Sequence, residues 1–598
     1  MSAAERPAPM AAGAREWGSD AIAALLRELG VEFVALTPGA SFRGLHDSLV
    51  NYLGNTRPEL LLCVHEENAV ALAHGYARVT GRPMAVALHS NVGLMHATMA
   101  IFNAWCDRVP ILIVGAQGPM DAAQRRPWVD WLHTTSDLGA LVRGYTKWDN
   151  QPASVPAALE ALVRAHRIAI TEPRGPVYVC LDAATQEQMV RTPPEPPALA
   201  RYRPPRAAEP PRDFVEEARA LLEAAHRPLV MIGRVSARQE DWDRRVALAE
   251  RCGARVLTDL KTGATFPTEH PLHPFPPGLY VTREAGALVR EADVIVSLDW
   301  IDLAGTLRQA CDGRLPEARV VQCSLDPYVH NGWSMDHQAL PPADLSALAS
   351  PDRFVERLLV ALGPGRVHAR TPPAASAERE APGPPVRDGR LSMHALAATA
   401  TDLLAPHNPA YIRLPLGWPG AFCRFRSPLD YVGYDGGGGI GSGPGMAVGA
   451  ALALRGSDRL PVAILGDGDY LMGLTAIWTA VHYRVPLLVL VANNESFFND
   501  ELHQEGVART RGRPVENRSI GLRMSDPRMD LAMLARGQGA VGLGPVRGPE
   551  ALAAALEAGV RETRAGRVCV VDVHVAPEYA RAVSSSLLRQ IPSAPSTP

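Results

Sequence analysis

The chain has 598 residues, with 60 Lys and Arg against 63 Asp and Glu, a net charge of −3 and 47% hydrophobic residues. At about 150 residues per domain this length implies three or four domains, and the near-neutral charge excludes the strong positive field that nucleic-acid phosphates require. The 51 Gly and 53 Pro predict abundant turns, with some glycines free to serve a ligand. No run of about eighteen apolar residues and no signal-peptide core occurs. The eight cysteines form no CxxC pair. A soluble protein of a reducing cytoplasm, without a membrane partner, is expected.

Ser19 and Asp20 offer an N-cap for an amphipathic helix carrying Ile22, Leu25, Leu26 and Leu29, with Gly30 beyond it. Apolar strands follow at 31–36, 60–64, 84–89 and 111–115, alternating with helices from Glu67 to Thr80 and from the third strand to Trp105. Uncharged strands alternating with polar-faced helices predict a parallel sheet covered on both sides. A Pro-rich stretch at 192–212 reads as a semi-rigid linker. Strands at 228–233, 254–260, 293–299 and 319–326 predict a second α/β unit, and residues 364–390 a second linker. Strands at 460–465, 485–494 and 568–575 belong to a third unit, and the Ser- and Pro-rich tail at 586–598 is expected to be disordered. The expected fold class is α/β, with three doubly wound parallel-sheet domains.

The third unit holds the chemistry. DGGGGIGSGPGMAVGAALAL, residues 435–454, is a glycine-rich loop opening into a small-residue helix. Gly436, Gly438 and Gly441 satisfy GxGxxG, but no clear strand precedes them and no acidic strand end follows at dinucleotide spacing. The strand LPVAIL ends in GDGDY, which places Asp467 at the carboxyl end of a parallel strand, where open α/β sheets bind ligands. The next strand ends in Asn493 and Asn494. A carboxylate, an amide oxygen and a nearby carbonyl are hard ligands that suit Mg²⁺ or Ca²⁺, with a diphosphate completing the shell. Asp467 alone is equally well explained as a helix-capping carboxylate; the two strand ends together strengthen the metal reading.

GDG followed by NN resembles thiamine diphosphate enzymes of the pyruvate decarboxylase and acetolactate synthase superfamily, over nearly the whole chain. The resemblance implies a pyrimidine-binding domain at 14–190, a central domain at 213–363 and a diphosphate-binding domain at 391–582, with thiamine diphosphate and Mg²⁺ as cofactors. It makes Asp467 and Asn494 side-chain metal ligands and Ser496 a backbone-carbonyl ligand. Gly468 and Asp469 match diphosphate contacts, although a small hydroxyl or Ala is commoner at the second position and a carboxylate there would repel phosphate unless it points away or holds a metal-bound water. Ile440 matches the apolar wedge beneath the cofactor, and Gly438 the carbonyl that accepts the aminopyrimidine N–H. In CVHEENAVALAHGYARVTGRP, Glu66 matches the acid that protonates the pyrimidine ring. Glu67 is its neighbour and rival, well explained as a first-turn carboxylate complementing the helix dipole.

ALHSNVGLMHATMAIFNAWCDRVPILIVGAQ, residues 87–117, is most similar to benzoylformate decarboxylase and places His89 at a pocket histidine, a structural strand-end histidine being the plainer alternative. Ala40 stands where that branch has a serine, with Ser41 beside it, and 120–136 holds only His133. His270, in FPTEHPLHP, matches a central-domain pocket histidine, though the HP pair recurs without catalytic duty. No clear flavin-contacting segment is found, so flavin is not expected. Arg509, Arg511, Arg513, Arg518, Arg523 and Arg528 crowd a stretch that reads as a solvated mobile loop or as a lid over an anionic substrate. The implied reaction is decarboxylation of a small-molecule 2-oxo acid, releasing an aldehyde or carboligating to a 2-hydroxyketone. The alternative is a lyase or hydrolase cleaving a C–C bond of a hydroxyketone, diketone or 2-hydroxyacyl-CoA. A homodimer or homotetramer with sites at subunit interfaces is implied.

Overall fold

Strands buried on both faces need continuous apolar runs rather than alternation, and segments such as Leu487–Asn493 supply them. The computed structural model describes residues 5–8, 16–192, 194, 197–326, 340–365 and 385–579. The N-terminal sheet contains β1 (Phe33–Leu36), β2 (Glu59–Leu62), β3 (Met84–His89), β4 (Ile111–Gln117), β5 (Asp149–Asn150) and β6 (Val177–Asp182), in the order β2-β1-β3-β4-β6-β5. The central sheet has β7 (Pro228–Ile232), β8 (Arg255–Thr258), β9 (Val294–Leu298), β10 (Arg319–Ser324) and β11 (Leu345–Leu348), in the order β11-β10-β9-β7-β8. A small antiparallel pair, β12 (Val386–Arg387) and β13 (Arg390–Leu391), leads into the third domain. There β14 (Pro409–Arg413), β15 (Leu460–Gly466), β16 (Leu487–Asn493), β17 (Val541–Val546) and β18 (Val568–His574) take the order β14-β15-β16-β18-β17. Every pairing in the three large sheets is parallel, as expected.

Local details differ from the sequence reading. The first helix, Gly18–Glu28, is capped by Trp17, and Asp20 lies inside it, accepting the Trp17 amide at 3.0 Å. The second linker is shorter than expected, because 386–391 already form the β12–β13 pair. Much of that linker and the whole 586–598 tail lie outside the described residues. All eight cysteines are free and buried, and no helix among the described residues is long and apolar enough to cross a membrane.

The N- and C-terminal domains share one core. Helix α1 (Glu66–Thr80) packs on helix α3 (Gly443–Ala453), and helix α2 (Ser90–Cys106) flanks α1. A Cβ on Gly75 would lie 2.0 Å from the Met446 carbonyl oxygen, and one on Gly449 1.8 Å from that of Leu72. Only glycine permits this approach. Around the crossing, Val70, Ala73 and Ile113 from one domain join Ala447, Val448 and Val489 from the other. The central domain is tied on by a buried ion network: Arg108 lies 2.6 Å from Asp299 at the end of β9, which also meets Arg234 at 3.4 Å and accepts from Ser324 at 2.7 Å. Burial opposes ionisation of Asp299, but Arg108 and Arg234 outweigh it and hold its carboxyl below the usual range.

Candidate functional site

β15 runs directly into helix α4 (Asp467–Met472), so Asp467 sits at the carboxyl end of a central strand beside the end of β16. Its Oδ1 accepts the Gly468 amide at 2.9 Å, while Oδ2 is buried with no hydrogen-bond partner. Burial pushes the carboxyl up to about 6, and amides of Gly468, Glu495 and Ser496 pull the other way. The β15 and β16 ends therefore meet. Asn494 Oδ1 accepts the Ser496 amide at 2.9 Å, and Ser496 Oγ donates to the buried Glu501 at 2.6 Å. A buried carboxylate oxygen left unpaired is costly, and a cation is the natural partner for it. A carboxylate, an amide oxygen and backbone carbonyls stand at the two adjoining strand ends, and these hard oxygen donors suit Mg²⁺ by type.

The glycine loop lies alongside. Gly438 and Gly441 have φ of +74° and +106°, conformations that disfavour any side chain. A Cβ on Gly438 would meet nothing within 4 Å, so the backbone there faces open space that a ligand ring can enter. Ile440 is half-buried beside it. Asn103 of α2 donates to the Gly439 carbonyl at 3.3 Å and to Ser442 Oγ at 2.9 Å. Asp469 takes the first alternative to a diphosphate contact: its carboxylate is engaged elsewhere, Oδ1 accepting the amides of Gly441 (2.7 Å) and Gly443 (3.2 Å) and Oδ2 pairing with Arg413 at 2.6 Å.

The N-terminal half is built differently. Glu66 opens α1 and is 8% exposed; its Oε2 lies 3.0 Å from Nδ1 of His96, whose ring stacks on His65 at 5.2 Å. Glu67 faces the other way, its Oε1 accepting from Ser442 at 3.4 Å, and burial pushes its carboxyl up. The pair HEE thus sends one carboxylate to its own chain's glycine loop and the other to a face where Val64 and Met95 are 52% and 55% exposed. His89, at the end of β3, has Nδ1 hydrogen-bonded to Ser41 Oγ at 2.8 Å, with its ring edge-on to His133 at 4.8 Å. Burial and then His133 lower its pKa against the pull of Glu66, which keeps the imidazole neutral near neutrality. Ser90 Oγ donates to the His133 carbonyl at 2.7 Å and fixes that loop.

Both His270 ring nitrogens are engaged inside the central domain of this chain, Nε2 near Glu250 (3.3 Å) and Nδ1 accepting the Leu272 amide (3.2 Å), with the ring edge-on to Phe266. The arginine-rich stretch begins in helix α5 (Phe498–Thr510), which holds Arg509, and continues through turns in which Arg518 pairs with Glu505, Arg523 with Glu501 (2.9 Å) and Arg528 with Glu495 (3.3 Å), while Arg511 and Arg513 are exposed. His96, Asn103 and Asp435 lie inside the segments 87–117 and 435–454 but carry no spacing signal of their own, and Arg413 lies outside any motif, so the sequence did not single them out.

Family models for thiamine pyrophosphate enzymes match the chain in three pieces: the N-terminal TPP binding domain at 16–140, the central domain at 215–336 and the C-terminal TPP binding domain at 416–573. A benzoylformate decarboxylase of Pseudomonas aeruginosa is 26% identical over 443 residues, covering 73% of this chain and 79% of that protein. An acetolactate synthase of Mycobacterium bovis is 25% identical over 497 residues, covering 80% of this chain and 76% of that protein. The solved structure of benzoylformate decarboxylase from Polynucleobacter necessarius superposes with a TM-score of 0.78 at 22% identity, over 94% of this chain and 99% of that one. That likeness bears on the fold.

Proposed function

The chain belongs to the thiamine pyrophosphate enzymes, and from that premise we propose that it decarboxylates a 2-oxo acid, releasing an aldehyde or joining the residual fragment to a second carbonyl as a 2-hydroxyketone. It is an enzyme of the decarboxylase and carboligase type with thiamine diphosphate as cofactor. The bound cofactor supplies the electron sink that decarboxylation needs.

In this reading Asp467, Asn494 and the Ser496 carbonyl hold Mg²⁺, Gly468 lies against the diphosphate, and the Gly438 carbonyl and Ile440 orient the ring portion. Glu66 is the residue assigned to exchange a proton through Oε1, its Oε2 being engaged by His96. Ser41 and the His89 ring, with His133 edge-on beside it, present dipoles to the carboxylate and carbonyl of the substrate and to charge that develops there. The observation that carries the proposal is the hydrogen-bonded Ser41–His89 pair in the field of Glu66. Because Glu67 and not Glu66 reaches the glycine loop of its own chain, Glu66 is assigned to the loop of a second copy, in a two-fold dimer or a tetramer of such dimers. The test is a panel of aliphatic and aromatic 2-oxo acids with CO2 and carboligation products both measured. Turnover with CO2 release is expected; C–C cleavage of a hydroxyketone, diketone or acyl-CoA without CO2, and none from any 2-oxo acid, would overturn it.

A further inference from the structure

The residue after Gly468 is a buried aspartate, 5% exposed, where a carboxylate has no use toward a diphosphate. Its partners explain it. One oxygen accepts two amides at the end of the glycine loop, those of Gly441 and Gly443 on either side of Ser442, and the other takes the Arg413 guanidinium. Gly443 fits this arrangement, since a Cβ there would lie 2.3 Å from Asp469 Oδ2. Arg413, 2% exposed at the end of β14, reaches Asp435 with its other arm at 2.8 Å and lies over the Tyr434 ring at 4.3 Å. Asp435 is the residue from which the glycine loop departs. One guanidinium therefore lies within ion-pair distance of the residue at the start of the loop and of Asp469, whose carboxylate accepts the amides at its end.

We propose that Asp469 and Arg413 are positioning residues that clamp the glycine loop at both ends and so fix Gly438 and Ile440 before the cofactor arrives. A run of glycines has the largest backbone freedom of any sequence. Left free, it would have to be ordered by the ligand, at the expense of affinity. Burial makes the clamp stiff: charges withdrawn from water hold their partners closely, because a lost partner leaves an uncompensated buried charge. The two carboxylates outweigh burial and hold the Arg413 guanidinium above its ordinary pKa, so the cation persists. Asp469 acts through the loop and touches no reacting atom.

The inference rests on reading Gly438 and Ile440 as the cofactor loop, and the test separates the two. Thiamine diphosphate affinity of the full-length apoenzyme with Mg²⁺ is measured by intrinsic fluorescence, together with the near-ultraviolet circular dichroism of the bound aminopyrimidine, for wild type, Asp469→Ala, Asp469→Asn and Ile440→Ala. Asp469→Ala is expected to weaken cofactor binding about 10- to 100-fold, as for other supports behind a ligand shell, and to diminish the dichroic band. Asp469→Asn, which keeps volume and one acceptor, should fall between it and wild type and is the variant read should Asp469→Ala not fold. In wild-type apoenzyme, hydrogen exchange should show the Gly441 and Gly443 amides protected without cofactor. If Ile440→Ala perturbs affinity and band while both Asp469 variants bind within about twofold of wild type, the clamp is refuted and the loop reading stands. If Ile440→Ala changes neither, the loop reading itself fails. Free-loop exchange at Gly441 and Gly443 in the apoenzyme refutes the clamp without any variant.

Discussion

Around Asp467 most polar groups are buried, and several pair within the chain, Ser496 with Glu501 and Asp469 with the Gly441 and Gly443 amides, while one Asp467 carboxylate oxygen has no hydrogen-bond partner. Around Glu66 and His89, equally polar groups stand beside exposed apolar side chains, among them Val92 and Met95. The C-terminal strand ends hold their polar groups in place within one chain, whereas the N-terminal strand ends leave theirs beside an exposed apolar rim. The difference teaches which parts one chain can preorganise alone. A charged anchor needs fixed dipoles already in place, while an acid and a substrate pocket can be completed by a second copy packing on the apolar rim.

Substitutions that break each half should separate the two. Asp467→Ala removes the orphaned oxygen and should weaken Mg²⁺-dependent cofactor binding by on the order of 100-fold or more, read by calorimetry with and without EDTA. Glu66→Gln should leave that affinity near wild type and lower turnover about 10²- to 10⁴-fold, whereas Glu67→Gln, aimed at Ser442, should cost about tenfold or less in steady-state assays. Gly449→Leu drives a side chain into the α1 backbone and should destabilise the enzyme by about 3 kcal/mol or more in thermal melts. His89→Ala should reduce kcat about 10- to 100-fold, with Ser41→Ala milder. Since burial holds the His89 pKa below its ordinary 6.5, the neutral ring is lost only as pH falls through that lowered value; the acid limb assigned to it should lie below pH 6.5 and vanish in His89→Ala. His270→Ala should stay within about twofold in kcat/KM, as befits a half-buried packing residue.

Where the chemistry is local in sequence it could be read from sequence. GDG and NN sit at strand ends that continuous apolar runs announce, and the proposed metal donors follow from them. Edge strands were harder: β17 contains two glycines and a proline, β11 is half exposed, and β5 is two residues long, so none carries a buried-strand pattern. Asp469 read as a misfit because its partner Arg413 lies on the neighbouring strand β14, an adjacency only the sheet order reveals. Counting cations along the arginine run misses Glu495, Glu501 and Glu505, which pair in space with Arg528, Arg523 and Arg518. The motif around His270 says nothing of where its ring points, and in this chain both ring nitrogens are engaged inside the central domain. Ser41 and His133 stood in plain view, but their pairing with His89 needs the loop after β1 to meet the loop after β4.

The central claim, that Glu66 of one copy serves the Asp467 socket of another, is tested most directly by complementation between two dead variants. Glu66→Gln and Asp467→Ala chains are co-expressed with different tags, the hybrid is assayed beside each parent, and CO2 release is measured on the best 2-oxo acid. Random pairing gives hybrids in half the dimers, each with one intact site, so about a quarter of wild-type activity is expected in the mixture. Activity no higher than either parent, in hybrids shown to have formed, would contradict the account and put the whole site within one chain.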